Sequence, residues 1–234
     1  LLERGDADIS YELPFKDFQE MKASGKLNVV SLPFSNGIQY IGMNVTKPPF
    51  DNPKVRQAMA YAMPYQKIMD AVLFGLANPM FGAAPDKATE VAWPQPTKYS
   101  TDMAKAKALL AEAGYANGFE TTISFDLNFA GVNEPLCILV QESLGQIGIK
   151  TTINKVPCAN CRTVLDKAAM PLYTNVFSGW LDYPEHFFPW RYHGTNPIFN
   201  TMSYQSKPLA GFVDGAVTAA ADGASTPTHV TSLP

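Results

Sequence analysis

The stretch from Asn44 to Ala62 reads NVTKPPFDNPKVRQAMAYA, and few chain paths satisfy it. Pro48 and Pro49 each fix their own φ and bias the preceding residue away from helix, which predicts an extended approach. Asn52 is placed to cap a helix, with Pro53 at its first position, where a missing N–H costs nothing. Val55, Met59 and Ala62 recur at i, i+4 and i+7, so one face of that helix seeks a core. Pro64 opens a second helix through Met69 and Val72, and Gly75 is its natural stop. The spacing therefore predicts strand, proline corner, helix, helix.

At 234 residues the chain is long enough for a sizeable core, in one domain or two. Hydrophobic residues at 46% and charged residues at 17% suit a folded globular chain and exclude a disordered one. A net charge of -3 gives no reason to expect nucleic acid or an anionic membrane as partner. No apolar run approaches the ~20 residues of a membrane span, so no membrane insertion is expected. Leu1 to Asp6 lacks the basic and apolar regions of a signal peptide. Both ends read as cut, and the polar stretch 225–234 reads as an irregular tail.

The remaining elements follow from periodicity. Phe15 to Met21 predicts a short helix ending near Gly25. Leu27 to Pro33 and Ile38 to Val45 are β-rich, and Ser35-Asn36-Gly37 between them suits a hairpin turn. Asn78 to Tyr99, rich in proline, reads as a long surface loop. Asp102 is placed to cap a helix carrying Ala106, Leu109, Leu110 and Ala113 on one side, with Gly114 at its end. Glu120 to Leu127 alternates Thr121, Ile123, Phe125 and Leu127, predicting a half-buried strand. Pro135 to Ile147 is the next helix, stopped by Gly148, and Ile149 to Val156 the strand after it. This β-α-β order suits a right-handed crossover in a mixed or parallel sheet. Ala159 to Met170 predicts a helix, Tyr173 to Trp180 a β-rich run, and Gly211 to Ala221 a small helix. The fold class is α/β with a mixed sheet.

The motifs NVTKPPFDNPKVRQAMAYAM…GLANP and MAKAKALLAEAGY, with the opening turn Gly5 to Ile9, resemble solute-binding proteins of the oligopeptide/dipeptide/nickel family that serve ABC importers. The resemblance implies one lobe of a type II periplasmic-binding-protein fold. Residues 1–45 would be hinge-adjacent strands of the N-terminal main lobe, and 46–224 the C-terminal lobe. The first half of such a protein has no counterpart here, so the chain is expected to be a fragment. The resemblance further implies a monomeric, periplasmic or otherwise extracytoplasmic protein that performs no chemistry and needs no cofactor. Its partners would be a peptide or other small solute and the permease subunits in the membrane. The hinge closure of binding proteins would capture the solute.

By the same resemblance, Gly179-Trp180-Leu181-Asp182-Tyr183 is the solute-binding stretch. In peptide-binding members a carboxylate here receives the peptide's α-amino group, a charge-assisted bond. Backbone around the Gly-Trp step pairs with the ligand main chain like an added strand. That role is carried to Asp182, with Trp180 and Tyr183 as pocket walls. This chain departs from the usual form, which has two residues between Trp and Asp, whereas only Leu181 intervenes here. Asp182 also suits a plain turn before Tyr183-Pro184. Trp190 and Arg191 stand in an aromatic stretch whose Phe187 and Phe188 read as core packing, and the pair are candidates for the pocket. Dipeptide-type members carry an arginine in the loop that here reads Asn128-Phe129-Ala130-Gly131-Val132-Asn133. Its absence argues against free dipeptides, because asparagine replaces a guanidinium fork poorly.

Cys158-Ala159-Asn160-Cys161 is a C-x-x-C at the start of a predicted helix, a placement that lowers a thiol pKa. It is also half of many zinc sites, but no second half follows, and His186, His193 and His229 lack ligand spacing, so no metal is expected. The open readings are a local disulfide, two free thiols, or a small thiol-disulfide oxidoreductase as an alternative function. Cys137 reads as a buried apolar residue of its helix. No Gly-x-Ser-x-Gly, phosphate loop or catalytic triad pattern is present, so no catalytic residue is assigned.

Overall fold

In a computed structural model of the chain, the expected order of strand, proline corner, helix and helix is present, and the corner from Asn44 to Asn52 is a run of turns. The Lys47 amide donates to the Asn44 carbonyl at 3.1 Å, Phe50 to Lys47 at 2.8 Å and Asn52 to Pro49 at 3.2 Å. Proline's fixed φ suits a turn as well as an extended strand, and here the bend carries Phe50 into full burial. Asn44 holds the start of the corner: its Oδ1 accepts from the Thr46 amide at 3.0 Å and the Thr46 hydroxyl at 2.7 Å. The structure describes residues 1–10, 13–30, 37–77, 99–157, 169–178 and 202–221, with Thr163, Lys167, Pro189, His193 and Asn200.

The chain divides into two compact units, the first being Leu1–Pro33, Lys54–Thr121 and Asn128–Ile153, the second Phe34–Pro53, Thr122–Leu127 and Asn154–Pro234. Helices dominate the first. They are α1 (Phe15–Ser24), α2 (Pro53–Ala62), α3 (Tyr65–Ala71), α4 (Met103–Glu112) and α5 (Ala130–Gly145). α2 begins at Pro53 as its cap chemistry predicts, and Val55, Met59 and Ala62 are all but fully buried. α4 is capped as expected, with Asp102 Oδ1 accepting from the Lys105 amide at 2.9 Å. Ala106 and Leu110 form its buried face. Lys105 sits with its Nζ 4.3 Å from the centre of the Tyr61 ring, and the Tyr99 ring meets Tyr61 at a tilt of 56°, with centres 5.0 Å apart. Ser143 of α5, itself buried, donates to the last carbonyl of α2, that of Ala62, at 2.6 Å. This bond satisfies one of the carbonyls that every helix end leaves over.

α5 starts at Ala130 and not at Pro135, and a short 3-10 turn, Leu127–Phe129, leads into it. A proline suits a helix start, which is why Pro135 marks one in the sequence. Here the missing amide falls inside the helix. Of the apolar stripe expected from spacing, Leu136, Leu139, Val140, Leu144 and Ile147, all are buried except Leu139, which is half-buried. Gly148 ends the segment at φ 87. There the chain passes close to Gly118, at φ 74, where an added β-carbon would overlap the Gly148 carbonyl. The amide of Lys150 then donates to the Phe119 carbonyl at 2.9 Å, which starts the next strand.

Four strands form one mixed sheet: β1 (Gly37–Met43), β2 (Glu120–Asp126), β3 (Lys150–Val156) and β4 (Leu172–Ser178), in the order β1-β4-β2-β3. The second unit holds β1, β4 and the C-terminal parts of β2 and β3, followed by α6 (Lys207–Ala221). β1 pairs antiparallel with β4, from Gly37 opposite Ser178 to Met43 opposite Leu172. The turn expected at Ser35-Asn36-Gly37 lies outside the described residues up to Gly37. Residues 27–30 form no strand, and Val30 is exposed, while 31–33 lie outside the described residues. The partner of β1 in the sheet comes from far along the chain. β2 lies parallel to β4, with Ile123 beside Leu172 and Phe125 beside Thr174.

β2 does not alternate in burial. Its first three residues are exposed or half-buried, whereas Ile123, Ser124, Phe125 and Asp126 are all buried, so both faces of its C-terminal part are covered. Leu127, placed on its buried face by alternation, lies past the strand end and is exposed. On one sheet face Gln39 Nε2 donates to Thr174 Oγ1 at 3.0 Å. On the other, Tyr173, Val156 and Met170 form a cluster joined by Tyr40 and Met202. The expected loop at 78–98, and the helix from Ala159 apart from isolated residues, lie outside the described residues.

Candidate solute site

In open sheets with parallel neighbours, ligands gather beyond the carboxyl ends of the strands. Here those ends are Asp126 of β2 and Ser178 of β4. The β2–β4 pairing ends at Phe125 and Thr174; Asp126 is the next residue of β2, Asn175 the next of β4, and Asn175 is the register partner of Tyr40 in β1. By strand alternation these three share the face that carries Ser124 and Tyr173. Asn154 of β3 donates to Ser124 Oγ at 3.2 Å on that face. Asn175 Oδ1 accepts from the amide of Val176 at 2.8 Å, so its side chain is held close to its own strand. Asp126 is 7% exposed, a carboxylate nearly withdrawn from water.

The predicted stretch Gly179, Trp180, Leu181, Asp182 and Tyr183 follows directly on the last residue of β4. Those five residues, with Trp190 and Arg191, lie outside the described residues, so the structure neither brings them together nor separates them. Two neighbours are described, Pro189 and His193; the His193 Nε2 lies 3.3 Å from Asp214 Oδ1 of α6. Sequence reasoning passed over Asp126 because it ends a strand read as half-buried, which left it nominally on a solvated face. In a strand that reads ETTISFD, with Glu120, Thr121, Thr122 and Ser124 also polar, nothing in the sequence set Asp126 apart.

Cys158 and Cys161 also lie outside the described residues. Cys137 is fully buried in α5, as its helix pattern predicts, and burial, with Glu134 nearby, pushes its thiol up to about 12 from the ordinary 9.0. The thiolate is the reactive form, so the native protein should leave Cys137 unlabelled by iodoacetamide at pH 8 and yield it on denaturation. Peptide mapping of the alkylated protein checks this. The sign of the linkage follows: because the folded thiol holds its proton more tightly, its contribution to stability is complete below pH 9 and declines between pH 9 and about 12. Among the described residues no group of three or more His, Cys, Asp and Glu side chains could hold a metal ion.

Residues 1–198 match the family model for the bacterial extracellular solute-binding proteins, family 5. The chain belongs to that family. Among curated relatives of this family-5 chain, the glutathione-binding protein GsiB of Pectobacterium atrosepticum is 39% identical over 153 residues, 65% of this chain and 29% of the relative. Two solved structures share its fold. The periplasmic binding protein DppA of Helicobacter pylori, solved with the peptide STSA, superposes with a TM-score of 0.76 at 21% identity. HbpA2 of Haemophilus parasuis does so at 0.71 and 27% identity. Each match covers 92% of this chain but only 42% and 43% of the respective structures. The family-5 chain thus spans less than half the length of these relatives. Its mixed α/β architecture is that of periplasmic binding proteins, as its motifs imply. Family membership gives the oxidoreductase alternative no support. No helix of the described residues is long and apolar enough to cross a membrane.

Proposed function

We propose that this chain is part of an extracytoplasmic binding protein that captures a peptide or similar small solute between two lobes and passes it to an ABC permease. The observation that carries the reading is the family match over residues 1–198, joined to a sheet whose parallel strands end at Asp126 and Ser178. The stretch from Gly179 to Tyr183 follows that strand end, where binding sites gather in such sheets. In this reading the protein works in the periplasm as a monomer and catalyses nothing. Residues 1–45 belong to the main lobe, and 46–224 form the C-terminal lobe. The relatives named for glutathione make a tripeptide-sized solute the first class to test. Asp182 receives the solute's amino group, while Trp180, Tyr183, Trp190 and Arg191 line the pocket.

Calorimetry of the full-length protein tests the assignment. Asp182→Ala should weaken binding of a tripeptide with a free amino terminus by about tenfold or more, the scale of one charge-assisted hydrogen bond. N-acetylated tripeptide should bind wild type and variant alike. An unchanged affinity for the free-amine peptide would sink the role of Asp182.

A further inference from the structure

We infer that Asn117 is a deamidation site gated by its turn: the side-chain amide persists while the turn before β2 is closed and converts to aspartate or isoaspartate when the turn opens. The chemistry needs only water. The backbone nitrogen of Gly118 gives up its proton and bonds to Asn117 Cγ, the Cγ–Nδ2 bond breaks, and ammonia leaves. Water then opens the resulting ring at either of its two C–N bonds. In isoaspartate the main chain runs through Cγ and is one atom longer. Asparagine followed by glycine is the pair most open to this attack, because glycine has no β-carbon to shield its nitrogen. The chain carries that pair twice, as Asn36-Gly37 and Asn117-Gly118, and Asn36 lies outside the described residues.

Asn117 is exposed, so water and base reach its side chain. The attacking nitrogen, in contrast, is held. The Gly118 amide donates to the Tyr115 carbonyl at 2.8 Å, closing a four-residue turn, and a bonded N–H is not free to lose its proton. Neighbours clamp that turn. The Tyr115 and Phe119 rings meet edge-on with centres 5.5 Å apart, and the Phe119 carbonyl accepts from the Lys150 amide at 2.9 Å. The Gly148 carbonyl stands where a β-carbon on Gly118 would be. Opening the turn disturbs these contacts together, so the open form is a minor one. The product does not fit the closed form: isoaspartate adds a main-chain atom where Gly148 leaves no room for a methyl group. Conversion at Asn117 therefore loosens the junction at which Lys150 starts β3.

The test incubates full-length protein at pH 8, in native buffer and in guanidinium chloride above the unfolding midpoint. Peptide mapping by mass spectrometry follows the change from amide to acid at Asn117, with Asn36 as the second Asn-Gly pair in the same chain. In denaturant the two should convert at similar rates, since the unfolded chain has no turn. In native buffer Asn117 should convert about tenfold more slowly than in denaturant, or slower still. Equal rates in the two conditions would overturn the gate, and no conversion of Asn117 in denaturant would overturn the site. Gly148→Ala leaves the Asn-Gly pair intact but strains a residue at φ 87 that packs on Gly118. Opening relieves that strain, so the native rate at Asn117 should rise by about threefold or more. An unchanged rate, in a variant shown to be folded by circular dichroism, would count against the turn as the gate. If the variant does not fold, the wild-type comparison alone decides.

Discussion

Phe125→Ala should destabilise the protein by about 3–5 kcal/mol, the usual cost of removing a buried aromatic ring. Phe125 is fully buried on an inner strand, directly beside Thr174 of β4. The loss has two sources: the ring's transfer out of water and the cavity left where neighbours relax only in part. Because the strand leads to Asp126, the effect should reach solute binding through the population of folded protein and not through a lost contact. Urea unfolding followed by circular dichroism checks this. The midpoint should fall sharply with little change of slope, since the surface exposed on unfolding is nearly the same. A shift under 1 kcal/mol would mean that β2 is not an inner strand.

Gly118→Ala should be as damaging for a different reason. Gly118 has φ 74, a backbone state that alanine adopts only at a cost, and its missing β-carbon leaves room for the Gly148 carbonyl. The obstacle is backbone, which cannot swing aside as a flexible side chain would. Either the turn before β2 or the one before β3 must move, and with it the Lys150 amide bond to Phe119. We expect a loss of roughly 2–4 kcal/mol, combining strain at positive φ with overpacking. Gly114→Ala is the control. It shares a positive φ, 87, but an added β-carbon meets nothing within 4 Å. Its cost should be about 1 kcal/mol, the strain alone. Equal effects at both positions would show that close approach plays no part.

How far the fold was legible follows from where its determinants lie. α2, α4 and the stripe of α5 are local: Pro53, Asp102 and the spacing of Leu136, Val140 and Leu144 are enough to place them. The partner of β1 is not local. The pairing joins Gly37 to Ser178, and nothing near Gly37 encodes that distance. The burial of β2 was misjudged for a related reason. Alternation records what one strand presents, but it cannot say whether other layers cover both faces of a sheet, and here Ser124 and Asp126 go in with Phe125. The corner at Lys47 to Phe50 formed where the two prolines stand, as a run of turns in which Phe50 is buried. The site residues from Gly179 to Tyr183 were proposed from a resemblance, which reports a shared motif and not a geometry. Asp126 carried no motif, so only its place at the end of β2 brought it forward.

The central claim is that the whole protein holds one small solute. Native mass spectrometry of the full-length protein, titrated with glutathione and separately with tri-alanine, tests it most directly. The account predicts a saturable shift equal to one solute per chain with at least one of the two. A spectrum unchanged by both, from protein shown to be folded by its circular dichroism, would contradict it.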